Sequence, residues 1–260
     1  MTRRSFPNTA FCRIPFCRNT NSGTATANTK TGNRGRSFKG GDFTATWGIH
    51  FRIADEILKH LHQIDREYFI IGNIAPDCGK RVENGYNPPT EVTHLTKMWN
   101  KSDCNCEFIF ENCIKDETEF KKKSFFAGYY THLLTDRLYS RLISMPIEEE
   151  FGKYREHPGF SKLVKREWYD ADFKFFAENK SPAFEDFKRY RAFKEAYPSI
   201  YKHGEIGKQM KYIVRFYKNK KPENVAFIYT NKQDFDHFVA KASEIILEEM
   251  HKNGMIKLFN

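Results

Sequence analysis

From Trp47 to the C-terminus the apolar residues of this 260-residue chain recur with the period of an α-helix, and no repeat or strand pattern competes with it. His50, Ile53, Ala54, Ile57, Leu58 and Leu61 fall on one face of a first helix. A second runs through Tyr68, Phe69, Ile70 and Ile71 and is stopped by Pro76. Asn84-Gly85 and Pro88-Pro89 mark residues 77–93 as a loop. A short helix around Phe108–Ile114 and a long one from about Glu117 to Ile143 follow. Further helices are expected near 159–178, 183–195, 204–218 and 231–252, the last capped by Thr230 or Asn231. Val225–Tyr229 is the one strand-like run. The pattern predicts an all-α, multi-helix domain over residues 43–260.

The charge distribution separates that domain from what precedes it. The chain carries a formal +10. Residues 1–41 hold eight basic side chains and no acidic one, which leaves 35 basic against 33 acidic residues for the rest, a net of +2. The excess therefore sits in residues 1–42, a stretch rich in Thr, Asn, Gly, Ser and Arg with no helical or strand period. It is expected to be a disordered basic leader. Its Arg-rich, acid-free composition resembles a transit peptide, and a nucleic-acid-binding arm is the alternative. The near-neutral body argues against a polyanion-binding face, which needs clustered cations.

The longest apolar stretch, Phe69 to Ala75, is broken by Gly72 and Asn73, so no segment suits a membrane span. With no apolar core of a signal peptide, the expected location is the cytoplasm. The six cysteines are then expected as thiols, and Cys104-x-Cys106 with Cys113 lacks the CxxC spacing of a structural zinc site.

The chemistry concentrates in Gly128-Tyr-Tyr-Thr-His132-Leu-Leu-Thr-Asp136-Arg-Leu-Tyr139, inside the long helix. Four helical residues turn about 400°, so His132 and Asp136 leave one face a turn apart and can share a divalent ion. Nine histidines in this composition give about one such pair by chance, so the pair alone is equally a solvated His/Asp couple. Asp77 after Pro76, His94 in Thr93-His94-Leu95 and His50 on the first helix each have ordinary structural readings as well: a turn residue, a capping residue and a core imidazole.

Taken in order, Trp47-Gly-Ile-His50, Phe69-Ile-Ile-Gly72-Asn-Ile-Ala-Pro76-Asp77, Thr93-His94-Leu95 and Gly128-Tyr-Tyr-Thr-His132-Leu-Leu-Thr-Asp136 resemble the zinc-dependent phospholipase C family. That family shares its all-α fold and metal cluster with single-strand-specific nucleases and with the catalytic domain of glycosylphosphatidylinositol-specific phospholipase D. The resemblance implies one to three Zn2+ ions. Asp77, His94, His132 and Asp136 would hold the first, and Asp136 would bridge to a second that also uses His50. Family members that begin at the Trp bind this second metal with its free amine and carbonyl. The Trp47 amine lies within a peptide bond, so water or another side chain has to complete that site. The His residues expected for a third metal are missing. Asp170 or Asp172 are the candidates to replace them, against a solvated helix face.

What the resemblance implies is hydrolysis of a phosphodiester by a zinc-activated water, with Asp77 both a ligand and the proton acceptor. The expected substrate is a phospholipid, reached through a transient contact with a membrane surface. Arg137 with Tyr129, Tyr130 and Tyr139 could meet its head group, though helix packing accounts equally for the tyrosines. Two alternatives stand beside this reading. One is a nuclease on the same scaffold, disfavoured by the near-neutral body. The other is a non-catalytic helical protein that keeps one structural zinc.

Overall fold

The computed structural model of the chain describes residues 44–260, except 84, 99, 153–158, 191 and 196. The leader expected over residues 1–42 lies outside the described residues.

Helix α1 (Trp47–Ile57) starts where the Thr46 hydroxyl accepts the Ile49 amide, and α2 (Arg66–Gly72) where the Asp65 carboxylate accepts that of Tyr68. A 3-10 turn at Ala75–Asp77 carries Pro76. Strands β1 (Lys80–Val82) and β2 (Gly85–Asn87) form a small antiparallel hairpin leading to α3 (Thr90–Thr93). Helix α4 (Cys106–Ile109) runs into a π turn, and α5 (Phe120–Tyr139) runs through another into α6 (Met145–Phe151). The chain continues through α7 (Phe160–Glu178), α8 (Pro182–Phe187), α9 (Glu205–Asn219), α10 (Lys232–Lys252) and α11 (Met255–Leu258). The capping box of α10 uses Asn231, one of its two expected caps. The fold is all-α.

Helix α5 is the centre of the molecule. Every residue from Ser124 to Asp136 is buried, with α1, α2 and α10 packed around it. A helix enclosed on all sides cannot show one apolar stripe, and its polar residues have to be paired inside the protein. Two glycines set the closest approach. A Cβ on Gly72 would collide with the Phe125 carbonyl, and one on Gly128 with the carbonyl of Phe69. Helices α2 and α5 therefore touch backbone to backbone, which carries Asn73, just past the end of α2, up against His132.

Three stretches depart from the sequence pattern. The loop expected over 77–93 contains the β1–β2 hairpin, with Gly85 at a φ of +129° in its turn. The helix expected over 183–195 ends at Phe187, because Phe193 instead stacks on Phe125 at 5.2 Å from an irregular segment. The run Val225–Tyr229 is no strand. Its backbone amides are taken up by two α7 carboxylates, Asp170 accepting from Asn224 and Val225 and Glu167 from Ile228 and Tyr229. Among the described residues no helix is long and apolar enough to cross a membrane. Cys78, Cys104 and Cys106 are buried free thiols, whereas Cys113 is disulfide-bonded, against the expectation of thiols throughout.

Candidate metal centre

The five residues singled out in the sequence arrive from four separate segments and meet beside the middle of α5. Helix α5 presents His132 and Asp136 on one face, with His132 Nε2 3.3 Å from Asp136 Oδ2. Neither is solvated, at 0% and 1% exposure, which removes the reading of a solvent-facing pair. Helix α1 brings His50, whose ring stacks on that of His132 at 3.8 Å and whose Nε2 lies 3.5 Å from Asp136 Oδ1. His94 follows the last turn of α3, and its Nε2 is 3.1 Å from His132 Nε2 and 3.3 Å from Asp136 Oδ2. The 3-10 turn after α2 supplies Asp77, with Oδ1 3.3 Å from His94 Nε2 and 3.9 Å from His132 Nε2. That turn is tied down by the Tyr201 hydroxyl, which donates to the Ala75 and Pro76 carbonyls.

The hydrogen-bond partners fix which ring nitrogens face inward. His132 Nδ1 lies 2.8 Å from the Asn73 carbonyl, which can only accept, so Nδ1 carries the proton and Nε2 turns a lone pair into the cluster. Asn73 is itself held by a 2.8 Å bond from its Nδ2 to the His50 carbonyl. Burial first, then the neighbouring His50, pushes the His132 pKa down to about 4, so the ring is neutral. His94 Nδ1 sits 2.8 Å from the Thr93 hydroxyl, whose own proton points to the Thr90 carbonyl at 3.4 Å. His94 therefore also turns the Nε2 lone pair inward. Two imidazole lone pairs facing each other at 3.1 Å repel unless a cation lies between or beside them.

A tetrahedral zinc with nitrogen and oxygen ligands at about 2.0–2.1 Å needs those donors about 3.3 Å apart. His94 Nε2 and His132 Nε2 lie 3.1 Å from each other and 3.3 to 3.9 Å from Asp77 Oδ1 and Asp136 Oδ2. Two triads of this cluster, His50 with His132 and Asp136, and Asp77 with His94 and His132, have donor atoms mutually within 4.8 Å. On the His50 side, His50 Nδ1 and Nε2 and Asp136 Oδ1 are buried without a hydrogen-bond partner. The donor set, its tautomers and these orphaned atoms fit the zinc ions implied by the sequence, with Asp136 offering one oxygen to each side.

A sixth side chain, that of Lys101, belongs to the cluster although no motif in the sequence marks it. Its side chain enters the cluster from the loop between α3 and α4, with Nζ 2.7 Å from Asp136 Oδ2, 2.8 Å from His94 Nε2 and 3.6 Å from Asp77 Oδ1. Burial by itself would raise the carboxyl pKa values of Asp77 and Asp136. The Lys101 charge and then His132 outweigh it, and both groups stay ionised. Burial would conversely lower the Lys101 pKa, and Asp136 and Asp77 outweigh that in turn, so the amine keeps its charge. Lysine has no spacing rule that marks it in sequence. The Asn73 contact is equally silent, because it acts through a backbone carbonyl.

A cavity of about 610 Å³ adjoins the cluster and reaches Asp77, His94 and Lys101. Trp47, Tyr169 and Tyr212 give it aromatic walls, and Arg81 and Lys165 add positive charge. The residues expected near a head group are not among its lining. Tyr129 bonds to the Thr93 carbonyl, the Tyr130 hydroxyl accepts from Asn253, and Arg137 pairs with Glu107 at 3.0 Å. Packing is their role. The proposed substitutes at a third metal site are employed elsewhere too. Asp170 binds Lys174 at 2.8 Å and the backbone after α9, and Asp172 accepts from Thr46 at 2.9 Å and Tyr217 at 2.7 Å. Both are buried, so neither lies on a solvated face.

No curated protein and no solved structure matches the chain. Residues 49–139, the span from α1 to the end of α5 that contributes all five cluster residues, match the model of the family described as zinc dependent phospholipase C.

Proposed function

We propose that the cluster is the metal centre of a zinc-dependent phosphodiester hydrolase of phospholipase C type. The observation that carries the reading is the approach of His94 Nε2 and His132 Nε2 to each other and to both Asp77 and Asp136 at 3.1 to 3.9 Å, delivered by separate segments with both imidazole tautomers fixed from behind. Histidines oriented in this way by an outer hydrogen bond are the usual arrangement at metal sites. Asp77, His94, His132 and Asp136 would hold the first ion, and His50 with the second Asp136 oxygen would contribute to another. Bound there, zinc supplies a hydroxide near neutral pH and neutralises charge on phosphoryl oxygens.

The protein's own groups supply the remainder. Asp77 is the cluster carboxylate nearest solvent, at 19% side-chain exposure, and it faces the cavity. It is placed to accept a proton from an attacking water. Arg81 and Lys165 would attract the phosphate of an entering substrate, and the aromatic walls would exclude water around it. A phospholipid presented at a membrane surface is the substrate class that suits an aromatic cavity with a cationic lining.

The test combines a metal count on the purified protein with turnover of phosphatidylcholine vesicles and single-stranded DNA. Two or more zinc ions per chain and phospholipid cleavage abolished by chelation are the expected result. Cleavage of DNA alone would assign the nuclease activity instead. A single tightly held zinc with no turnover of either substrate would make the site structural.

A further inference from the structure

Lysine is rarely buried completely, yet Lys101 is 3% exposed in the middle of the cluster. The loop that carries it is built to keep it there. Lys101 has a φ of +58° and Leu95 one of +49°, a left-handed backbone that a side-chain-bearing residue adopts at a cost of about 1 kcal/mol or more. The Asp103 carboxylate closes the loop by accepting from the Lys97 amide at 3.2 Å and the Met98 amide at 3.1 Å. From α5's continuation, Arg141 donates to the Ser102 carbonyl at 2.9 Å. Such a strained and braced loop does not leave the amine inside the cluster by accident of flexibility.

The ammonium and a metal compete for the same electrons. An ammonium has only donors, so His94 Nε2 accepts from it, and that nitrogen has a single lone pair. The same atom is one of the four donors assigned to the first ion. The Asp136 oxygen that lies 2.7 Å from Lys101 Nζ is another, and Asp77 Oδ1 at 3.6 Å is a third. An ion bound by those donors would also stand beside an uncompensated positive charge. Lys101 in its observed position and a metal ligated by His94 therefore exclude each other.

We propose that Lys101 is a built-in counter-cation of the cage. In the metal-free protein its ammonium stands in for the ion, neutralising Asp136 and Asp77. Metal entry requires the side chain to leave toward the adjoining cavity, which Lys101 already lines. The inference rests on the metal-centre reading and adds to it a metal affinity set by competition with a residue of the chain itself. Any metal so held would be bound more weakly, and lost more readily, than the donor set alone dictates.

The experiment is a zinc titration of metal-stripped full-length protein, wild type against Lys101→Met, using a competing chromophoric chelator. Releasing a charge-assisted hydrogen bond before binding weakens the wild type, so Lys101→Met should bind zinc about ten- to a hundredfold more tightly. As a second measurement, acylation of Lys101 in the wild type by an amine-reactive ester, read by mass spectrometry, should rise when zinc is added. This arm holds even if the variant fails to fold. Equal or weaker zinc binding by a folded Lys101→Met, or labelling of Lys101 unchanged by zinc, would overturn the counter-cation role while leaving the metal centre standing. Failure of both proteins to bind zinc at all would overturn the metal centre, and the competition with it.

Discussion

Replacing Gly128 by alanine tests whether the metal cage depends on the contact between α2 and α5. In an unobstructed helix interior, glycine to alanine gains about 1 kcal/mol. Here the new methyl would fall far inside 3.0 Å of the Phe69 carbonyl oxygen and 2.8 Å from the Asn73 amide nitrogen. Both obstacles are backbone, so no side chain can rotate away, and the two helices have to part by about 1 Å. Overpacking of this kind costs about 1–3 kcal/mol, and a backbone obstacle places it at the upper end. After the propensity gain, the net loss is about 2 kcal/mol or more. The same displacement stretches the 2.8 Å bond from His132 Nδ1 to the Asn73 carbonyl beyond hydrogen-bonding range. Loss of such an outer partner weakens metal binding by about 10- to 100-fold. Urea denaturation and a zinc titration of Gly128→Ala measure the two effects separately. Gly152→Ala is the control, since a Cβ there meets nothing within 4 Å. A Gly128→Ala protein as stable as the wild type, with unchanged zinc affinity, would refute the argument that backbone contact positions the cage.

Other consequences can be checked in parallel. His132→Ala and Asp136→Asn should each eliminate zinc from the four-donor cage and destabilise the protein by about 3 kcal/mol, since each leaves buried polar partners unmatched; zinc retained with stability within about 0.5 kcal/mol would contradict this. His50→Ala should lower the zinc count by one and reduce phosphodiesterase activity while the Asp77, His94, His132 and Asp136 ion stays, as mass spectrometry of the native protein would report. The Asp172 carboxyl is pushed up to about 6, chiefly by burial, against the lowering effects of Tyr217 and Thr46. Because the folded form holds its proton more tightly than the unfolded chain, its contribution to stability is complete below about pH 4 and is lost as pH rises to about 6. Relative to wild type, Asp172→Asn should thus improve by about 2 kcal/mol between pH 4 and pH 7, whatever its constant offset, and parallel stability curves would exclude that carboxyl as the cause.

Much of this was legible in the sequence because helices announce themselves by period. The α1 face from His50 to Leu61 is buried as its spacing required, and α7, α9 and α10 lie within two residues of the expected limits. The pattern failed where tertiary contacts replace local ones. Val225–Tyr229 looks like a strand because its amides need partners outside a helix, and side-chain carboxylates of α7 provide them instead of a neighbouring strand. Asp170 and Asp172 are candidates in the sequence only as replacements for the missing ligands of a third metal, against a solvated face, and the structure buries both. Each is an acid in a helix interior, and only the positions of Thr46, Tyr217 and the 223–230 segment tell what it binds. The five cluster residues stood out through their order along the chain. Lys101 and Asn73 could not, since one acts through an unusual backbone angle and the other through a carbonyl that every residue possesses.

The polar residues of α5 show how the fold separates structure from chemistry within one helix. Ser124, Thr131 and Thr135 are as deeply buried as His132, but each hydroxyl donates to the carbonyl four residues back, at 2.8 to 2.9 Å. A short side chain can close on its own helix in this way and asks nothing of its surroundings. An imidazole and a carboxylate cannot, because their polar atoms reach past the helix backbone and must find partners on other elements. For His132 that partner on one side is Asn73, and on the other there is only a ring of further acceptors: His94 Nε2, Asp77 and Asp136. So many inward-facing acceptor atoms without enough protons among them would be costly to bury with no cation present. Lys101 meets that need on one side of Asp136, through Oδ2, and leaves Oδ1 and both ring nitrogens of His50 unpartnered on the other. The excess of acceptors over donors, more than the identity of any one residue, is what makes this part of α5 a place for metal ions.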